Sequence, residues 1–316
     1  MKIGANYLTE KVEGKTIGKF DGIYQMLIQK GYLNTLKYPG KYCDIASLEL
    51  LLKMLERTGC EVDIHGLPGM LPATHSKVML ANIQWDQIPE KLWKVPSFQR
   101  ISTHIGLDNQ DRIANYSPKE FWQTFQDNQE KMKRILREKT GREIQFGGEN
   151  QPGGFQIDPE TYTPEFLSQI WEKMDFGVFD IAHGKNSAQE EGISYEEYLK
   201  RLTNTERVKI FHVSGNMDRT GKYIDKPDKH VMMDESEFSE ILETISVFSN
   251  LDLIVTEYAY QTKYAYEKEI IMEIVTLKKL VESKDVEYTK KIGLFLEKEL
   301  KEKGENLEEV LEKIEK

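Results

Sequence analysis

The sequence is poor in cysteine, in long apolar runs and in clustered positive charge. Only two cysteines occur among 316 residues, Cys43 and Cys60. They form no CxxC pair, which argues against a disulfide scaffold or a cysteine-based zinc site and suits a reducing, cytoplasmic setting. No apolar stretch approaches the roughly eighteen residues of a membrane span. The opening MKIGANYL reads as a strand, not as the basic-then-apolar layout of a secretory signal. The formal net charge is -10. Nonspecific nucleic-acid binding draws on clustered Lys and Arg to displace counterions, so nucleic acid is not an expected partner. No GxGxxG follows the first strand, which removes the main support for a dinucleotide-binding open sheet.

What is present is alternation. Hydrophobic residues make up 39% of the chain and charged residues 30%, enough for a large core under a solvated surface. Short apolar runs at 2–8, 35–38, 60–65, 100–105, 143–146, 177–181, 208–213 and 251–256 read as strands. Helical periods lie between them. The segment 46–58 is closed by Gly59, and Ser117 with Pro118 opens a helix that stops at Gly141. Further helices are expected after Pro72, after Thr163-Pro164, over 194–202, from Ser236 to 248 and over 264–282. Eight strands, each followed by a helix, imply a parallel sheet closed into a (β/α)8 TIM barrel over residues 1–284. Residues 285–316, dense in Glu and Lys with leucines at helical spacing, form a charged C-terminal helical extension. It reads as surface helices packed on the barrel, or as a docking helix for a partner or second subunit.

Histidine placement points to chemistry. Five of the six histidines fall at the end of an expected strand or in the loop after it: His65, His104, His183, His212 and His230. Glu149, Asp180, Asp228 and Glu257 share that placement. His75 does not, and reads as a loop or surface residue. In a barrel all strand C-termini meet at one mouth, so these side chains converge. Imidazole and carboxylate suit Zn, Fe, Mn and Co, and clustering this many carboxylates without cations would be costly. Two or three metal ions are therefore expected. Asp180 and His183 leave one strand end together, and Asp228 and His230 are spaced to chelate one ion. Asn150, Asn216 and Lys229 flank these positions and are candidate substrate contacts.

The order His, His, Glu, Asp-x-x-His, His, Asp-x-His, Glu resembles the xylose isomerase-like barrel superfamily. The segments VDIHGLPG, RISTHIG, FGGENQPGG, VFDIAHGKNSA, RVKIFHVSGN, IDKPDKHVMMDESEF and LIVTEY resemble the multinuclear non-heme iron-dependent oxidative enzymes, the group of the methanobactin-biosynthesis enzyme. The full set of nine also resembles endonuclease IV. The resemblance implies three neighbouring sites: His65, His104 and Glu149 at one metal; Glu149, Asp180, His212 and Glu257 at a second; His183, Asp228 and His230 at a third. Asn216, after His212-Val-Ser-Gly, departs from the Gly-His continuation common in that group.

The resemblance implies an iron-dependent oxidoreductase that modifies a ribosomally synthesised peptide at cysteine, with a precursor peptide and a leader-binding protein as partners. Zinc and manganese are the alternative metals. A phosphodiester hydrolase like endonuclease IV and a sugar isomerase or epimerase are the alternative activities; a metal-storing barrel without turnover is the non-enzymatic one.

Overall fold

The computed structural model describes residues 1–40, 44–70, 79–80, 83–105, 118–151, 163–215, 232–258, 266–302 and 307–315. Eight parallel strands close into a barrel. They are β1 (Lys2–Asn6), β4 (Thr35–Tyr38), β5 (Glu61–His65), β6 (Arg100–His104), β7 (Gln145–Glu149), β8 (Phe176–Asp180), β9 (Val208–Val213) and β10 (Leu253–Thr256). Their order around the ring is β1-β10-β9-β8-β7-β6-β5-β4, so β1 closes the barrel by pairing with both β10 and β4. A two-stranded antiparallel hairpin, β2 (Thr9–Val12) and β3 (Lys15–Gly18), stands outside the ring.

The strand alternation sorts side chains into two layers. Outward positions such as Ile3, Leu36, Val62, Ile101, Phe146, Phe179, Phe211 and Ile254 join the apolar cluster that also holds the surrounding helices. A separate small cluster of Phe176, Val178, Ile210, Leu253 and Val255 fills the other side of β8, β9 and β10. Two residues beyond Val178, Ile210 and Val255, on the same faces, stand Asp180, His212 and Glu257. The strands thus change from apolar filling to polar donors within one step of their own period. Gly147 makes room for this filling: a Cβ there would lie 2.3 Å from the Phe176 ring.

Helices cover the ring. Ile45–Thr58 starts at Asp44, whose carboxylate accepts from Ser47 N, and ends at Gly59 with φ 68°. Pro164–Lys173 is capped by Thr163, and Tyr195–Arg201 by Ser194. Pro118–Thr140 ends before Gly141, whose φ is 66°.

The helix implied after the first strand, for which the sequence set no bounds, is Asp21–Gln29; not expected were the β2–β3 hairpin and the helix Ile181–Glu190. The last follows Asp180 directly, because the Asp180 side chain accepts from His183 N and acts as its N-cap. The strand expected at 143–146 instead runs Gln145–Glu149, which puts Glu149 on the strand end itself. The helix after Pro72 falls largely outside the described residues; Glu90–Lys94 is the helix described between β5 and β6. The helix expected to open at Ser236 starts as a 3-10 turn capped by Asp234, then continues as Phe238–Val247.

The last two helices, Val286–Glu302 and Leu307–Glu315, bury Leu296, Leu300, Val310, Leu311 and Ile314. Lys30 and Glu312 form an ion pair at 3.6 Å, which ties the end of the chain to the region after the first helix. Among the described residues no helix is long and apolar enough to cross a membrane.

Candidate metal centre

Six expected ligands lie at the C-terminal mouth and fall into two groups that share one member. Donor atoms of His65, His104 and Glu149 lie within 4.8 Å of one another, and so do those of Glu149, Asp180, His212 and Glu257. Each comes from a different strand end: β5, β6, β7, β8, β9, and the residue after β10. Glu149 divides its oxygens between the groups. Oε2 faces His65 Nε2 at 3.0 Å and His104 Nε2 at 3.8 Å. Oε1 faces His212 Nδ1 at 2.9 Å, which itself stands 3.3 Å from Glu257 Oε1. A carboxylate placed this way suits a bridge between two cations.

The floor of the cluster is buried: Asp180 and His212 are fully buried and Glu149 is 1% exposed. His104 is the most open of the six, its side chain 24% exposed. Burial and the Lys37 ammonium, in that order, push both His65 and His212 well below the usual histidine value; at His65 the neighbouring imidazoles add to it, and at His212 the carboxylates of Asp180 and Asp63 oppose it. Both rings are therefore neutral near pH 7, the form that ligates metal. Nδ1 of His65 lies 2.9 Å from Ser102 Oγ, which anchors the ring and leaves Nε2 facing Glu149 and the first group.

The donor set fits a divalent ion. Among the described residues, Glu149 Oε2 and Asp180 Oδ2 are buried and accept no hydrogen bond. Buried carboxylate oxygens without donors are costly unless a cation satisfies them. Three carboxylates and one imidazole in the second group favour a hard or borderline ion, whereas two imidazoles and a shared carboxylate in the first suit Zn, Fe or Co.

His183 is brought to the same mouth but not into either group. Its Nδ1 donates to the Asn150 carbonyl at 2.8 Å and lies 3.6 Å from Glu149 Oε1, with its ring 5.5 Å from that of His104. The partners assigned to it by resemblance, Asp228 and His230, lie outside the described residues, as do Asn216, Lys229 and His75. Asn150, the candidate substrate contact within the described residues, also joins two strand ends. Its Oδ1 accepts from Asp180 N at 2.7 Å and its Nδ2 donates to Asp180 O at 3.0 Å, clasping the end of β8 to the end of β7.

Sequence reasoning missed Lys37. It is 1% exposed on β4, donates to Glu257 Oε1 and lies 3.1 Å from His212 Nε2. The available signal was a lysine between Leu36 and Tyr38 in a strand with no surface of its own. Gly40, just beyond β4, has φ 57°, and a Cβ there would lie 1.9 Å from the His65 carbonyl oxygen. This close backbone approach keeps the end of β4 against the end of β5.

A closed ring of eight parallel strands with donors at the strand ends defines the fold as a (β/α)8 TIM barrel, and solved structures share it. A D-tagatose 3-epimerase-like protein is similar over 88% of this chain and 98% of its own, with TM-score 0.57 and 19% identity. A 3-keto-D-glucoside 4-epimerase from E. coli covers 86% of this chain and 98% of its own, with TM-score 0.53 and 14% identity. A xylose isomerase domain-containing protein from Salmonella typhimurium LT2 covers 86% and 94%, with TM-score 0.57 and 12% identity. No protein-family model matches the sequence. No curated protein matches it either.

Proposed function

We propose that the chain is a metal-dependent sugar isomerase or epimerase. The observation that carries this is the buried group Glu149, Asp180, His212 and Glu257, whose donors lie within 4.8 Å of one another on a barrel similar to those of two epimerase-named structures. These four residues would hold one divalent ion, and His65, His104 and Glu149 would hold a second. When bound, such an ion polarises a carbonyl or hydroxyl oxygen and so acidifies the adjacent C–H. The chain's own contribution is proton transfer and water exclusion. Glu149 and Glu257 flank His212, and Glu257, which serves only the second group, would take or return the proton at a carbon bound over the mouth.

The test is solvent exchange. The full chain, loaded with Mn2+ or Co2+, is incubated with ketohexoses in D2O. Deuterium incorporation beside the carbonyl, abolished in Glu257→Gln, is expected. Intact C–H bonds across a broad hydroxy-ketone panel with a loaded protein would overturn the reading.

A second reading follows from the imidazole-rich half of the site. His65, His104 and the nearby His183 provide nitrogen donors that suit iron. In that reading the chain is a multinuclear iron oxidoreductase acting on a Cys-bearing precursor peptide presented by a leader-binding protein. Iron at two or more equivalents after anaerobic purification, with oxygen consumption dependent on such a peptide, would favour it over the first.

A further inference from the structure

Beneath the mouth, β4 and β5 carry a pair of opposite charges outside both ligand groups. Lys37 and Asp63 are register partners on adjacent parallel strands, so their side chains leave the sheet on the same side. Each is 1% exposed. The Lys37 ammonium reaches up to the mouth, onto Glu257 Oε1 and His212. Asp63 lies below His65 on the same strand face. Among the described residues neither of its oxygens accepts a hydrogen bond, and Arg100 Nε stands 4.0 Å from Oδ1. A buried carboxylate in that condition has strong demand for a donor. The flexible four-carbon stem of a register partner can supply one, since neighbouring strands are only about 4.8 Å apart.

The other end of the swing is equally constrained. An ammonium on Glu257 beside a divalent ion on the same carboxylate would set like charges a few ångströms apart in a site shielded from water. We infer that Lys37 is a two-position cation, resting on Glu257 and His212 when it neutralises the four-residue group and moving to Asp63 when a divalent ion enters that group. Lys37 is a positioning residue in this scheme: the ion takes the ammonium's place among the four ligands, and the ammonium, still buried, neutralises Asp63 and no longer faces the ion across Glu257. The inference rests on the metal-binding reading above.

The experiment is a double-mutant cycle read by calorimetric titration of Mn2+ into chelator-treated full-length protein. Lys37→Met is expected to bind the ion at least about tenfold more tightly, because the competing cation is gone. Asp63→Asn is expected to bind it at least about tenfold more weakly, because the displaced ammonium has no berth. In the Lys37→Met background the Asp63→Asn effect should shrink below about threefold. Lys37→Gln carries the test if Lys37→Met does not fold by circular dichroism. Unchanged or weaker binding on loss of the lysine overturns the inference, as does an Asp63→Asn effect of equal size in both backgrounds, which would mean direct attraction to the ion. A wild-type protein that takes up none of Mn2+, Fe2+, Co2+ or Zn2+ would instead remove the metal-binding reading itself.

Discussion

Glu149 is the residue on which both ligand groups depend, since its two oxygens face different imidazoles. His212 serves only the second group. His212→Ala should therefore remove one ion and spare the other, with an unchanged circular dichroism spectrum. Elemental analysis showing the same metal stoichiometry as wild type would refute its role. Ser102 touches no expected ion but fixes the His65 ring through Nδ1. Ser102→Ala should weaken metal binding about 10- to 100-fold with little loss of stability, as partners of ligating histidines commonly do. At this scale the sequence was informative about residue type and position. His65, His104, Glu149, Asp180, His212 and Glu257 stand out as donors at strand ends, and the structure brings them together. It was silent about Lys37 and Asp63, because a charged residue in a short strand looks the same in sequence whether it faces solvent or a barrel interior.

Strands and helices set how tightly these donors are held. Gly147 on β7 leaves space for Phe176 on β8, and Gly147→Ala should cost about 1–3 kcal/mol by overpacking. Phe176→Leu should recover part of that loss in chemical denaturation; no recovery would place the strain elsewhere. The helix Glu267–Ser283 contributes Glu273, 2% exposed, which accepts from Met233 N at 3.0 Å and Thr256 Oγ1 at 3.1 Å. It joins the segment entering the Asp234 cap to the end of β10, next to Glu257. Burial pushes its carboxyl up to about 8, with the Glu237 charge adding to the rise and the two hydrogen bonds opposing it. The folded state thus holds a proton that the unfolded chain releases near the ordinary glutamate value of 4.5. Stability from this group is fully present below that value and falls as pH rises towards about 8, then levels off. Glu273→Gln should flatten this decline, gaining on wild type in melting temperature between pH 5 and pH 9. Parallel melting curves for the two proteins across that range would contradict the assignment. The sequence could not show this, since Glu273 belongs to a Lys- and Glu-rich helix whose buried face is decided by the neighbouring strand.

For the whole molecule, eight-strand closure is what makes one site from residues almost two hundred positions apart. The charged end of the chain is part of that body, because Leu296, Leu300, Val310, Leu311 and Ile314 are buried. Truncation after residue 284 should lower the melting temperature by at least several degrees and expose apolar surface to a dye such as ANS. A truncated chain as stable as the full one would make the extension a detachable tail.

The sequence by itself determined the alternation of strands and helices, because hydrophobic period and capping residues act locally: Asp44, Thr163 and Ser194 cap the helices that follow them whatever the rest of the chain does. It also determined which donors sit at strand ends. The hairpin at 9–18, the helix that begins at Asp180, and the inward lysine and aspartate were decided only in the folded chain. Their conformations depend on partners brought close by closure of the barrel, and no spacing within a single strand encodes which side of a ring it will face.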